Sequence, residues 1–182
     1  SFDISADLAE LAQTPVTVVA AGAKAILDLP KTLEVLETYG VPVIVYRQNE
    51  FPAFWSRSSG LPAPIRMDSA ADIARAHIMR ADLGLPGGQL IANPIPAESE
   101  IAASKLAPAI EHALSNAQDQ GIAAKDVTPF LLQRIFELTN GQSLTANIAL
   151  VKNNAKLAAE IAREVAARRA LRAKGTISIV GR

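Results

Sequence analysis

Three short apolar runs, each followed further along the chain by an amphipathic helix, constrain this chain more than any other feature. "PVTVVAAG", "VPVIVY" and "GGQLIAN" are rich in β-branched residues and poor in charge. Runs this short, apolar at nearly every position, suit strands buried on both faces of a parallel sheet. Around them the apolar period changes to that of a helix. "ISADLAELAQ" puts Ile4, Leu8 and Leu11 on one face. "LPKTLEVLETYG" does the same with Leu29, Leu33 and Leu36 before Gly40 stops it. "DSAADIARAHIMRADLG" predicts a helix capped by Asp68 and ending at Gly84. "SEIAASKLAPAIEHALSNAQDQG" predicts a long helix, and "TPFLLQRIFELTNG" one with Thr128 as its cap and Pro129 in its first turn. A helix of unusual length runs from "SLTANIALV" to "RALRAKG", and "TISIVG" reads as a last strand. "RQNEFPAFWSRSSGLPAPIRM" reads as a long loop holding most of the aromatics. The expected fold class is α/β, a mixed, largely parallel sheet flanked by helices.

Composition narrows the function. The 182 residues suit one domain. Lys and Arg number 18, as do Asp and Glu, so no global charge invites nucleic acid or an anionic membrane. Neither partner is expected. The chain has no cysteine, which excludes disulfides, thiolate metal sites and a cysteine nucleophile and suits a reducing, cytoplasmic setting. No apolar run reaches the roughly 20 residues of a membrane helix, and "SFDISADLAE" lacks the features of a signal peptide. His77 and His112 lie in separate predicted helices without a second histidine at ligand spacing, so both read as solvated or capping residues. No G-x-G-x-x-G or Walker motif is present.

In open α/β sheets ligands sit beyond the carboxyl ends of the strands. The loops expected there are "AGAK", "RQNEFPAFWSRSSG" and "ANPIP", which gather Lys24, Arg57, Ser58, Ser59 and Asn93. Lys24 has three readings on these grounds: a Schiff-base nucleophile, a phosphate-binding cation, or an exposed side chain. A free lysine amine, with a pKa of about 10.4, needs desolvation or a nearby cation to act as a nucleophile. Asp3 and Asp7, four residues apart, read either as carboxylates suited to a first helical turn or as ligands for a hard cation.

Longer stretches carry a family likeness. "FDISADLAELAQTPVTVVAAGAKAILDLPKTLEVLETYGVPVIVY", "FPAFWSRSSG", "ANPIP" and "VTPFLLQRIFELTNGQSLTANIALVKNNAKLAAEIA" resemble, in order, the pseudouridine-5′-phosphate glycosidase family, also called indigoidine synthase A-like. The resemblance covers roughly Phe2 to Ala162. It implies a lyase that reversibly opens the C–C glycosidic bond of pseudouridine 5′-phosphate, giving uracil and ribose 5-phosphate. It also implies that Lys24 is the nucleophile that forms an imine with the sugar. Asp3 would bind Mn2+. Ser5, Ala6 and Asp7 would contact substrate, and Asn147 of "LTANI" would lie near the phosphate, aided by backbone N–H groups if it opens the last helix. A homotrimer is the implied assembly.

Members of that family carry a long N-terminal part before "FDISAD", with a glutamate proton donor, another substrate-binding lysine and a Gly-rich stretch. None of these is in the present sequence, so the expectation is a C-terminal part whose other half lies on the same polypeptide or on another chain. Residues 1–166 are assigned to the glycosidase domain. Residues 167–182 are assigned to a basic linker or tail, and "TISIVG" resembles the first strand of the sugar kinase fused to some eukaryotic members. Two other readings stand beside this one. The first is a non-catalytic fragment or scaffold subunit that binds a ribose phosphate or oligomerises without turnover. The second is an N-terminal nucleophile hydrolase using Ser1. If this chain supplied its own acid, Glu50 would be the first candidate, through burial beside Phe51 and Trp55.

Overall fold

The computed structural model describes residues 6–23, 28–122 and 126–180, apart from the side chains of residues 128 and 174–180. The elements are α1 (Ala6–Gln13), β1 (Thr17–Ala20), α2 (Leu29–Thr38), β2 (Val43–Tyr46), β3 (Ile65–Met67), α3 (Ala70–Asp82), β4 (Gln89–Ala92), α4 (Ala103–Asp119), α5 (Val127–Leu138) and α6 (Gln142–Val180). A short 3-10 turn, Ala97–Ser99, leads into α4.

The four strands form one sheet in the order β1-β4-β2-β3, and all three pairings are parallel. Alternation along the strands sends side chains to two cores. Val43, Val45, Leu90 and Ala92 pack with Leu11 and Leu36. Ile44 and Ile91 pack with Ile73, Leu157 and Ile161 on the other face. Covered on both sides, β2 and β4 need residues that tolerate burial at nearly every position, as "VIVY" and the "LIA" of β4 supply, while buried Gln89 spends its amide on the Thr17 hydroxyl.

Several expectations change; besides the four that follow, α5 begins at Val127 after Asp126, so Thr128 lies inside the helix and is not its cap. First, β1 is an edge strand, with Val18 36% exposed, not a buried one; its run is as apolar as β2, but it pairs only with β4 among the described strands. Second, "IRM" within the long loop forms β3. The run is too short and too polar to show a period, and the backbone of β2 holds it in register. Third, the cap of α3 is Ser69, whose hydroxyl accepts from the Asp72 N–H at 3.1 Å, one residue later than expected. Fourth, "TISIV" continues α6 as helix and forms no strand. In α6 the stretch from residue 165 onwards is anchored on α3: Val165 joins the second core, and Arg172 pairs with both carboxylate oxygens of Asp82 at 2.6 and 2.9 Å.

His77 is half-buried rather than fully solvated, and it lies inside α3 rather than capping it. It lies on α3 beneath β1, where its Nδ1 is 3.1 Å from the Thr17 hydroxyl, which also accepts from buried Gln89 at 3.1 Å. Burial, and then the charges of Arg169 and Arg80, push its pKa below the usual histidine value.

Candidate active site

Parallel strands end on the same side, so the segments after β1, β2 and β4 leave the sheet together. Ala21, Trp55 and Ile95, one from each segment, meet in a third core built with Leu106, Leu131, Ile135 and Leu150 from α4, α5 and α6. The strand-end loops are therefore held between the sheet and a helical layer.

Gly22 of "AGAK" is the tightest point. Its φ is +87°, and a Cβ added there would lie 1.9 Å from the Pro52 carbonyl oxygen. Only glycine meets both demands. Next to it the Phe54 N–H donates to the Ala21 carbonyl at 2.9 Å. Phe54 itself takes a left-handed conformation, φ 63°, which bulky residues rarely adopt. Bonds exchanged between Ala53 and Ser56 close a tight turn around it.

The rest of this loop is tied to the segment after β4. The Arg57 guanidinium donates to the Ile95 carbonyl at 2.7 Å, and the Arg57 N–H donates to the Glu100 carboxylate at 2.8 Å. The Ser59 hydroxyl donates to the Phe51 carbonyl at 2.5 Å. Asn93, buried at the end of β4, donates to the Asn154 side chain on α6 at 3.1 Å, and neighbouring Asn153 donates to the Pro94 carbonyl at 3.1 Å. Of the expected rim, Arg57, Ser58, Ser59 and Asn93 lie in segments that follow β2 and β4, and Lys24 lies outside the described residues. Arg57 holds the segment after β2 to the one after β4, Ser58 and Ser59 bond within their own loop, and Asn93 ties the end of β4 to α6.

An open cleft of about 630 Å³ borders this loop, lined among others by Gln48, Asn49, Glu50, Arg57 and Ser58. Glu50 accepts from the Ser58 hydroxyl and from the Gly60 N–H. Those donors, the hydroxyl first, hold its carboxyl below the usual glutamate range. The expectation that burial raises it towards neutrality is overturned: the loop stabilises the ionised form, so Glu50 is a poor proton donor.

Of the substrate-contact expectations, Ala6 and Asp7 lie exposed at the start of α1, with Asp7 in its first turn. Asn147 is half-buried on α6 but does not open it. The helix begins at Gln142, so the Asn147 N–H falls in the second turn, where N–H groups are committed to carbonyls four residues back. Lys24, Asp3 and Ser5 lie outside the described residues. Among the described residues no group of three or more histidines and carboxylates could hold a metal ion. The residues that sequence reasoning missed are Asn153, Asn154 and Glu100. Adjacent asparagines inside an otherwise strong helix were the available signal; Glu100 offered none.

Lys31, the next lysine along the chain after "AGAK", lies in the first turn of α2. Its ammonium pairs with Asp28 at 2.5 Å, and that carboxylate also caps α2. The Asp28 partner raises the Lys31 pKa, which keeps the amine protonated.

Comparison with known proteins agrees with this architecture. The pseudouridine-5′-phosphate glycosidase of Jannaschia sp. (strain CCS1) is 71% identical over 163 residues, which are 90% of this chain and 54% of that protein. The enzyme of the same name from Paracoccus denitrificans is 70% identical over 166 residues, 91% of this chain and 55% of that protein. The chain thus spans about half the length of the curated relatives it matches. The crystal structure of the prealnumycin C-glycosynthase AlnA with ribulose 5-phosphate superposes with a TM-score of 0.85 at 34% identity, over 92% of this chain and 55% of that one. An indigoidine synthase A-like protein from Thermotoga maritima gives 0.81 at 37% identity, over 88% and 53%. The family model for indigoidine synthase A like protein matches residues 1–164, so the chain belongs to that family.

Proposed function

We propose that this chain is the lysine-bearing part of a pseudouridine-5′-phosphate glycosidase. The observation that carries the reading is the 71% identity to a relative of that name. It is supported by the likeness to a C-glycosynthase, whose complex holds a five-carbon sugar phosphate. The clamp at Gly22 fixes the strand end two residues before Lys24.

In the proposed reaction the Lys24 amine adds to C1′ of the sugar as the ring C1′–O4′ bond opens. Protonation at C5 of the base then lets the C1′–C5 electron pair leave with uracil, and nitrogen forms the imine at C1′. Water hydrolyses the imine, releasing ribose 5-phosphate and the free amine. The acid that delivers the proton to C5 comes, in this reading, from the part of the relatives that this chain does not span, since Glu50 is held ionised. Lys31 is a poor alternative nucleophile because Asp28 keeps it charged.

Ser5, Ala6, Asp7 and Asn147 are proposed substrate contacts. Mn2+ on Asp3 rests on the "FDISAD" motif alone: the described residues do not build a metal site, and no step is routed through it. A homotrimer and a cytoplasmic location belong to the same proposal. Among the described residues no helix is long and apolar enough to cross a membrane. The half-length match also keeps open a scaffold role without turnover.

Borohydride reduction with ribose 5-phosphate, in the presence of the unmatched portion of the Jannaschia sp. enzyme, tests the reading. Mass spectrometry should place the adduct on Lys24, and Lys24→Ala should abolish it. An adduct on Lys31 or Lys152 would reject the assignment, and no adduct at all would favour the scaffold.

A further inference from the structure

Thr17, His77 and buried Gln89 form a chain of side chains that joins β1, α3 and β4. The Gln89 amide N–H2 donates to the Thr17 hydroxyl at 3.1 Å and to the Ile73 carbonyl of α3 at 3.4 Å. The Thr17 hydroxyl also lies 3.1 Å from His77 Nδ1. A hydroxyl has one hydrogen to give. Gln89 meets it with a donor, so that hydrogen goes to the imidazole, and Nδ1 is the bare ring nitrogen. The neutral ring then carries its proton on Nε2, because the partner of one ring nitrogen sets the state of the other. One acceptor in the chain stays unused: Gln89 Oε1 is buried and has no hydrogen-bond partner among the described residues.

A proton on Nδ1 gives that oxygen a use. The Nδ1–H of an imidazolium must donate to the Thr17 oxygen, which turns the hydroxyl hydrogen away from the ring. A half-turn of the Gln89 amide brings Oε1 round to accept it. We infer that His77, Thr17 and Gln89 form a two-state relay, in which proton uptake on α3 reverses the hydrogen bonds that reach β1 and β4. The reversal withdraws the amide N–H2 from the Thr17 and Ile73 oxygens, so the neutral ring is the resting state. Burial, and then the charges of Arg169 on α6 and Arg80 on α3, favour the same state. β1 and β4 bring only the uncharged Thr17 and Gln89 to the chain. The acidic residues of α3, Asp72 and Asp82, are paired with Arg75 and Arg172, and Glu164 of α6 is paired with Arg168. β1 runs directly into "AGAK". Thr17 and His77 are therefore positioning residues for Lys24, a consequence that rests on the proposed reaction.

Nuclear magnetic resonance of the full chain tests the relay. At neutral pH the imidazole nitrogens of His77 should show a proton on Nε2 and a bare Nδ1. As His77 takes up its second proton, the side-chain amide of Gln89 should shift along the same titration curve. Thr17→Val keeps the branched shape of the residue and removes the hydroxyl. In that variant His77 should still titrate while the Gln89 amide no longer follows it, and Thr17→Ser should keep the coupling. A purely structural role for Thr17 would leave Gln89 following His77 in Thr17→Val, which would overturn the inference. A neutral ring protonated on Nδ1 would overturn it as well. If Thr17→Val fails to fold, the ring nitrogens and the Gln89 amide of the wild-type chain decide. None of these readouts involves turnover. Equal reductive trapping at Lys24 by Thr17→Val and Thr17→Ser would remove the positioning role and leave the relay standing, whereas no adduct in any variant would reject the proposed reaction alone.

Discussion

Replacing Gly22 by alanine tests the clamp at the end of β1. Two costs arise together. Alanine at φ +87° must enter the left-handed region, a penalty of about 1–2 kcal/mol. Its Cβ would also lie 1.9 Å from the Pro52 oxygen and 2.8 Å from its carbonyl carbon, both backbone atoms that no rotamer change can move. The loop must therefore retreat, and overpacking of this kind costs about 1–3 kcal/mol. The expected total is roughly 2–5 kcal/mol. Gly60→Ala provides the control, because Gly60 has φ +78° but nothing within 4 Å of an added Cβ. It should lose only the backbone part, about 1–2 kcal/mol. Urea denaturation of the two variants measures the difference, and the retreat should also lower reductive trapping at Lys24. Equal destabilisation, within about 0.5 kcal/mol, would refute the close approach and leave backbone strain as the whole effect.

His77 should make stability depend on pH. Its folded pKa lies below the unfolded value of about 6.5, so between the two the unfolded chain binds the proton first. Stability should therefore be complete above about pH 6.5 and fall as pH drops towards the folded pKa, a slope that denaturation curves should show and that His77→Gln should flatten. Glu50→Gln should leave the alkaline limb of the kcat/KM profile of the assembled enzyme in place, because the donors of its loop favour the ionised Glu50, which has no proton to give; loss of that limb would restore it as proton donor. Asp3→Asn should weaken Mn2+ binding by calorimetry without changing the circular dichroism spectrum, and unchanged affinity would remove Asp3 from the metal site.

The sequence was most informative where burial forces composition. In β2 and β4 both faces are covered, so nearly every residue is apolar, Gln89 excepted, and the run could be read directly. β1 carries the same kind of run but takes an edge position, because pairing partners are not written in a strand's own residues. β3 escaped notice since three residues, with Arg66 at the centre, show no period. In the candidate site, the rim residues were legible as polar groups after strands. Their mutual bonds were not, because the Arg57–Ile95 and Asn93–Asn154 pairs join segments 38 and 61 residues apart. Glu50 was misjudged for a similar reason. Its aromatic neighbours in sequence suggested an apolar pocket, whereas donors eight and ten residues away determine its charge.

The strand order also dictates when the protein can assemble. β1 and β4 are neighbours in the sheet, yet Thr17 and Gln89 stand 72 residues apart in the chain. During synthesis at about 5–20 residues per second, β1 therefore waits about 4–14 s for its partner to be made. Closing so long a loop also carries an entropic cost before any contact rewards it, which slows folding from the denatured state. Through that interval the β4-facing side of "TVVA" is bare, a brief window in which a nascent chain is open to chaperones and to aggregation.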